Sequence, residues 1–181
     1  MIDHPDAKAF VLHWGEMGSR WGVNRSIGQI HALLYLSHRP LIADEMCTTL
    51  KLARSNISTG LRELQSYGLV RLVHNPGDRR DHFTAEGDPW EMLLRVAAER
   101  KRREIDPTIN FLSELNARLS RDTGAPPHLR ERVARLHEFT VMLDEWYDDV
   151  RVLPKSNLFS LIKLGGRVAR AVLPRWAQSS A

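Results

Sequence analysis

Among its 181 residues the chain has one cysteine, Cys47, so no internal disulfide can form, which fits a reducing compartment. It does not open on a basic start followed by an apolar run, so no secretory leader is expected. Its apolar runs fall far short of the roughly 20 residues a membrane span needs. Eight histidines show no HxxH, HxxxH or HExxH spacing, and one thiol cannot complete a structural zinc site, so no metal or other cofactor is expected. P-loop, GxGxxG and GxSxG signatures are missing, which leaves phosphoryl transfer, dinucleotide binding and acyl transfer without a motif. The acidic cluster of Asp144, Asp148 and Asp149 reads as the solvated side of a helix end. The expectation is a cytoplasmic protein that is not an enzyme.

A global excess of positive charge is also missing from the body of the chain. The formal net charge is +4, but residues 151–181 hold six Lys/Arg and no Asp/Glu. The first 150 residues then hold 20 basic and 22 acidic residues. Any nucleic-acid footprint in the body has to be local.

The stretch from Arg54 to Phe83, "RSNISTGLRELQSYGLVRLVHNPGDRRDHF", carries such a footprint. Ile57, Leu61 and Leu64 recur at i, i+4 and i+7, the spacing of a helix face turned to a core. That leaves Arg54, Ser55, Asn56, Ser58, Thr59 and Arg62 outward. Small polar residues are poor helix formers, so they are a costly choice for solubility alone. Short hydroxyls and amides beside a long arginine suit a helix lying against base edges in a major groove. Gly68 sits where a C-cap glycine belongs, and two short strands joined around Pro76-Gly77 follow. Arg79 and Arg80 at the hairpin tip would reach a minor groove or the flanking backbone, with Asp78 or Asp81 orienting one of them.

The flanking segments complete a winged helix-turn-helix order. "DAKAFVLHWGEMGSRWG" reads as a first helix, and "SIGQIHALLYLS" as a second, capped by Asn24 or Ser26. "LIADEMCTTLKLA" reads as a short third helix that includes Leu41 and Ile42. Asp88 as N-cap and Pro89 at the first position start a long helix that Asp106-Pro107 breaks or kinks. From Leu129 to Val150, the residues Leu129, Val133, Leu136, Thr140, Leu143, Tyr147 and Val150 occupy successive heptad positions, with Phe139, Met142 and Trp146 in a second stripe. Two apolar stripes on one helix point to a dimer face, with Leu129, Val133, Leu136, Leu143 and Tyr147 at the interface. The fold expected is mainly α with a small β-wing. Residues 1–23 form an N-terminal helix for core or dimer contacts, and 24–87 the winged helix-turn-helix. Residues 88–150 form a helical dimerisation region, and 151–181 a basic amphipathic tail.

The segments "IGQIHALLYLSHRPLIADEM", "RSNISTGLRELQSYGLVRLVHNPGDRRDHFTAEGDPWEM" and "ERKRREIDPTI" resemble MarR-type winged-helix regulators, most of all their GbsR-like branch. The resemblance covers roughly residues 10–150 and implies a homodimeric bacterial transcription regulator that binds double-stranded DNA. Some members of the branch are linked to choline and glycine betaine metabolism, so a choline-like effector is implied by resemblance alone. One departure is Ala53, where such helices often carry a capping Ser.

Trp14, Trp21 and Trp90 are candidates for an aromatic ligand pocket, set against plain packing of helices. Cys47 reads as a small core residue in preference to a redox sensor, since no cationic neighbour is evident to activate it. The tail can form a basic amphipathic helix, weakened by Gly165-Gly166, that would pack on the dimer or lie on an anionic membrane. The rival functions are a winged-helix protein-interaction module and a peripheral membrane regulator that uses this tail.

Overall fold

The computed structural model describes residues 4–154 and, after them, Asn157, Leu158, Ser160 and Leu164. The basic tail therefore lies almost wholly outside the described residues. Two compact units divide at Arg100 and Lys101.

The first unit is built from α1 (Pro5–Arg20), α2 (Arg25–Leu36), β1 (Leu41–Ile42), α3 (Ala43–Leu50), α4 (Arg54–Ser66), β2 (Val70–Asn75), β3 (Asp78–Ala85) and α5 (Pro89–Arg100). Asn24 caps α2, its side-chain oxygen accepting from the Ser26 amide at 2.9 Å. The α1 and α2 helices cross where two glycines meet. A Cβ on Gly28 would stand 3.0 Å from the Gly15 Cα, so only small residues allow this approach. Ile30, Leu33, Leu41, Met46 and Ile57 are fully buried at the centre. Side chains of this size each contribute about 1.5–3 kcal/mol on burial.

The three strands form an antiparallel sheet in the order β1-β3-β2. Leu41 and Ile42 are thus strand residues, paired with Phe83 and His82, and not the start of a helix as their sequence suggests. Two residues are too few to show alternation, and it is the pairing with β3 that extends them. The α3 helix begins after them, where the Glu45 carboxylate accepts from the Ile42 amide at 3.0 Å.

The expected inner stripe of α4 holds: Ile57, Leu61 and Leu64 are buried, with Gly60 between them. Gly68, at φ +68°, ends the helix. The Gly68 amide donates to the Gln65 carbonyl and the Leu69 amide to the Leu64 carbonyl, both at 2.9 Å, which is a Schellman closure. Asp88 caps α5 as expected, accepting from the Trp90 amide at 2.8 Å. The face of α5 packed on the core is Met92 and Val96, while Leu93 is exposed. Cys47 is half-buried against the same core.

The second unit starts with a π-helical turn, Lys101–Ile105, followed by α6 (Asp106–Arg121) and α7 (Pro127–Arg151). Pro107 has no N–H to give to the preceding turn, and a wider π turn accommodates that gap. Lys101 Nζ pairs with Asp106 at 2.6 Å and with Asp144 at 2.8 Å, which ties the turn to α7. These two carboxylates hold the Lys101 ammonium above its usual range. Asp148 is paired with Arg151 at 2.8 Å, so two of the three clustered aspartates have cationic partners.

Candidate nucleic-acid interface

The outward face of α4 is fully available. Arg54, Ser55, Asn56, Ser58, Thr59 and Arg62 are all exposed, as are Arg79 and Arg80. Ala53 occupies the N-cap with no side-chain cap bond. The Asn56 and Ile57 amides donate to the Ala53 carbonyl, at 3.0 and 3.2 Å. The Arg54 and Ser55 amides, at the first two positions, have no intrahelical acceptor and suit a phosphate oxygen.

The hairpin closes on the two residues Pro76-Gly77, with Asn75 opposite Asp78 and Gly77 at φ +84°. This tight turn puts Arg79 and Arg80 on the strand itself, directly after the tip. Of the two aspartates that could orient an arginine, Asp78 does so. Arg80 Nε donates to Asp78 Oδ1 at 2.9 Å, and the Arg80 amide donates to the same oxygen at 3.0 Å. The Arg80 guanidinium and then its amide hold the Asp78 carboxyl well below the usual carboxylate range. The buried His82 stands behind, its Nε2 3.5 Å from Asp78 and its Nδ1 2.8 Å from the Arg80 carbonyl oxygen.

A groove of about 390 Å³ runs between α4 and the hairpin, and Arg54, Ser58, Arg62 and Arg80 all line it. Residues separated in sequence thus share one concave surface, on which these three arginines stand beside Asp44 and Asp81. Arg54 is held by Asp44 at the start of α3, while among the described residues Arg62 reaches Thr59 Oγ1 alone, at 3.5 Å. Two residues of this groove escaped sequence reasoning. Gln65 is exposed one turn beyond Arg62, and extending the outward stripe by three residues would have found it. Asp44 gave no signal, because its partner Arg54 lies on another helix.

The candidate dimer residues divide into two sets. Leu129, Leu136 and Leu143 are exposed, with Phe139, Met142 and Trp146 beside them. Val133 and Tyr147 are half-buried, as are Thr140 and Val150. One half of the heptad stripe therefore turns toward its own unit, and the other half is open.

Of the candidate pocket residues, Trp14 and Trp21 line one cavity, of about 480 Å³, but Trp90 is not on its wall. The Trp14 indole N–H donates to His31 Nδ1 at 3.2 Å, and Phe10 stacks on Trp14 with ring centres 5.4 Å apart. His31 is buried, and desolvation pushes its pKa down to about 4.

The MarR family model matches residues 21–81, the segment that spans α2 to the hairpin arginines. The HTH-type transcriptional repressor GbsR of Bacillus subtilis (strain 168) is 26% identical over 139 residues, which cover 75% of this chain and 77% of that one. The HTH-type transcriptional repressor OpcR of the same organism is 22% identical over 160 residues, with coverage of 79% and 86%. A crystal structure of a transcriptional regulator shares the fold with a TM-score of 0.64 at 22% identity, across 81% of this chain and 96% of that chain. The exposed polar face of α4 and the wing arginines thus lie in the segment that matches the MarR family model, and the chain is similar to these two repressors over at least three quarters of its length.

Proposed function

We propose that the chain is a ligand-responsive transcriptional repressor that acts as a homodimer on a pseudo-palindromic DNA site. The observation that carries this reading is the groove shared by Arg54, Ser58 and Arg62 of α4 and Arg80 of the wing. In it α4 would enter the major groove, Asn56 and Arg62 would read base edges, and Arg79 and Arg80 would grip the neighbouring backbone or minor groove. The open half of the α7 stripe supports pairing with a second copy, which would set two α4 helices about 34 Å apart on successive major grooves. The repressor sense comes from GbsR and OpcR, which carry that description.

The test is a selection of bound duplexes from a randomised pool, followed by a salt titration on the winner. A two-fold-symmetric motif whose affinity falls steeply with salt is expected. Recovery of no motif, with affinity indifferent to sequence, would overturn the reading in favour of a protein-docking module.

A further inference from the structure

The arginines of the groove are not held alike. Arg80 gives its Nε and Nη2 edge to the two oxygens of Asp78. Arg54 gives Nη1 to Asp44 Oδ1, and its Nε–Nη2 edge has no acceptor among the described residues. Asp44 is a firm anchor. It stands in the first turn of α3, where helix amides favour a negative charge, and Ala43 and Met46 on either side of it are buried in the core. Both partners are exposed on the groove wall, and an ion pair this exposed does little for stability. A carboxylate on a surface that meets DNA also repels phosphate. Folding gains little from Asp44, and backbone binding loses by it, which leaves recognition as its use.

We propose that Asp44 holds Arg54 so that its free edge donates to a guanine, with Arg54 reading the base and Asp44 acting as its positioning residue. This rests on the DNA-binding reading of α4. The pair is formally neutral, so it offers a phosphate little, whereas guanine O6 and N7 are uncharged acceptors spaced for a guanidinium edge. Adenine presents the N6 amino group where guanine has O6, so donor would meet donor. Anchoring the guanidinium before DNA arrives also lowers the cost of ordering it on binding. Arg54, Ser58 and Arg62 recur every four residues, so they form one row on α4 with a small side chain between two long ones. Eight residues span about 12 Å of helix axis, and successive bases are about 3.4 Å apart. Each half-site should therefore hold two guanine positions within about four base steps, one for each arginine of the row.

Selection from a randomised pool is run on the full chain, on Arg54→Ala, on Asp44→Ala and on the double variant. Anisotropy then measures affinity for the wild-type winner, for the same duplex with the guanine pair changed to A·T, and for random duplex. Both positions are exposed, so each variant should stay folded. Arg54→Ala is expected to lose one guanine position and keep the one that Arg62 reads, and Asp44→Ala to lose that same position. Discrimination between G·C and A·T there should fall about tenfold in either single variant and no further in the double. Random duplex should respond in the opposite sense. Asp44→Ala should bind it more tightly at low salt and with a steeper salt dependence, because the freed arginine becomes a phosphate partner. A guanine position that survives Arg54→Ala overturns the proposal, as does a lost position that selects a base other than guanine. A position lost in Arg54→Ala but kept in Asp44→Ala, or losses that add in the double variant, overturns the positioning role. Wild-type protein that selects no motif overturns the regulator reading and this inference with it; a wild-type motif shared by every variant overturns this inference alone.

Discussion

The α4 and α7 helices both leave a full face open to solvent, and the two faces could hardly differ more. On α4 the open residues are arginine, serine, asparagine and threonine; on α7 they include Leu136, Phe139, Met142, Leu143 and Trp146. A polar face exposes nothing that water does not already satisfy, so α4 can stand free and still meet a hydrated polyanion. The α7 face is different. Five large apolar side chains on one helix make a continuous patch of the kind that marks an interface between proteins. The same word, exposed, marks a site that can wait for its partner on α4 and a site that should rarely be without one on α7.

The largest expected effect breaks the apolar member of this pair. Leu136→Glu with Leu143→Glu should abolish dimerisation, because pairing would bury two charges with no partner, at a cost on the order of several kcal/mol. Leu136 and Leu143 are 51% and 43% exposed in the single chain, so the monomer itself should stay folded. Sedimentation should show a folded monomer and anisotropy a loss of tight DNA binding. A dimer that survives both changes would move the interface away from α7.

A second effect sharpens the contrast from inside the fold. Unfolded His31 takes up a proton near pH 6.5, whereas the folded chain refuses it until about pH 4. Below 6.5 the unfolded state therefore binds a proton that the folded state does not, and stability falls as pH drops toward 4. The loss amounts to roughly 3 kcal/mol. Glu45 is held below its ordinary range by Arg39, Glu86 by the Asp88 amide, and Asp78 by Arg80. Those contributions fade only below the ordinary carboxylate values of 4.5 and 3.8, so they leave the interval from 6.5 to 4.5 to histidine. Urea titrations of wild type and His31→Phe across that interval should show a slope that the variant lacks; equal slopes would mean His31 titrates alike in both states.

The polar face was legible in the sequence because its cause is local. The Ile57–Leu61–Leu64 period, the glycine at 68, the Pro76-Gly77 turn and the Asp88-Pro89 start each act within a few residues, and each is found where the sequence puts it. What escaped depends on residues brought together from afar. The strand at Leu41 and Ile42 exists through Phe83 and His82, forty residues on. His31 is one histidine on an apolar helix until Trp14 of α1 fixes its proton. Trp90 has the composition of a pocket residue but not the position, since Pro89, Met92 and Val96 of its helix reach the cavity instead. Composition can nominate a pocket; only packing decides which aromatic side chains share it.

The third effect tests whether the α4 face reads bases or only rests on the backbone. Arg62→Ala should cost about 1–3 kcal/mol at the selected site and relax the preference at one base pair, with little change on random DNA. Asn56→Ala should act alike at a neighbouring position. Both residues are exposed, so folding stability should stay within about 0.5 kcal/mol. Arg79→Ala with Arg80→Ala should instead weaken all sequences alike and flatten the salt dependence by about one unit of slope per arginine. Identical selected motifs from wild type, Asn56→Ala and Arg62→Ala would return α4 to an ordinary solvated surface.

The smallest expected effect concerns the carboxylate behind the wing arginine. Asp78 accepts twice from Arg80 at its Oδ1, from the side chain and from the amide, and so fixes the guanidinium before any partner arrives. Asp78→Ala should have two opposed consequences. Removing a negative charge from the wing favours phosphate, so affinity for random DNA should rise modestly at low salt. Freeing Arg80 means that its rotamers must be ordered on binding, at about 0.5–1.5 kcal/mol, so affinity for the selected site should fall by less than about tenfold. The two curves should converge, and the ratio of specific to random binding should shrink. If specific and random affinity instead rise together, Asp78 merely neutralises charge at the hairpin, and the orientation of Arg80 adds nothing to selectivity.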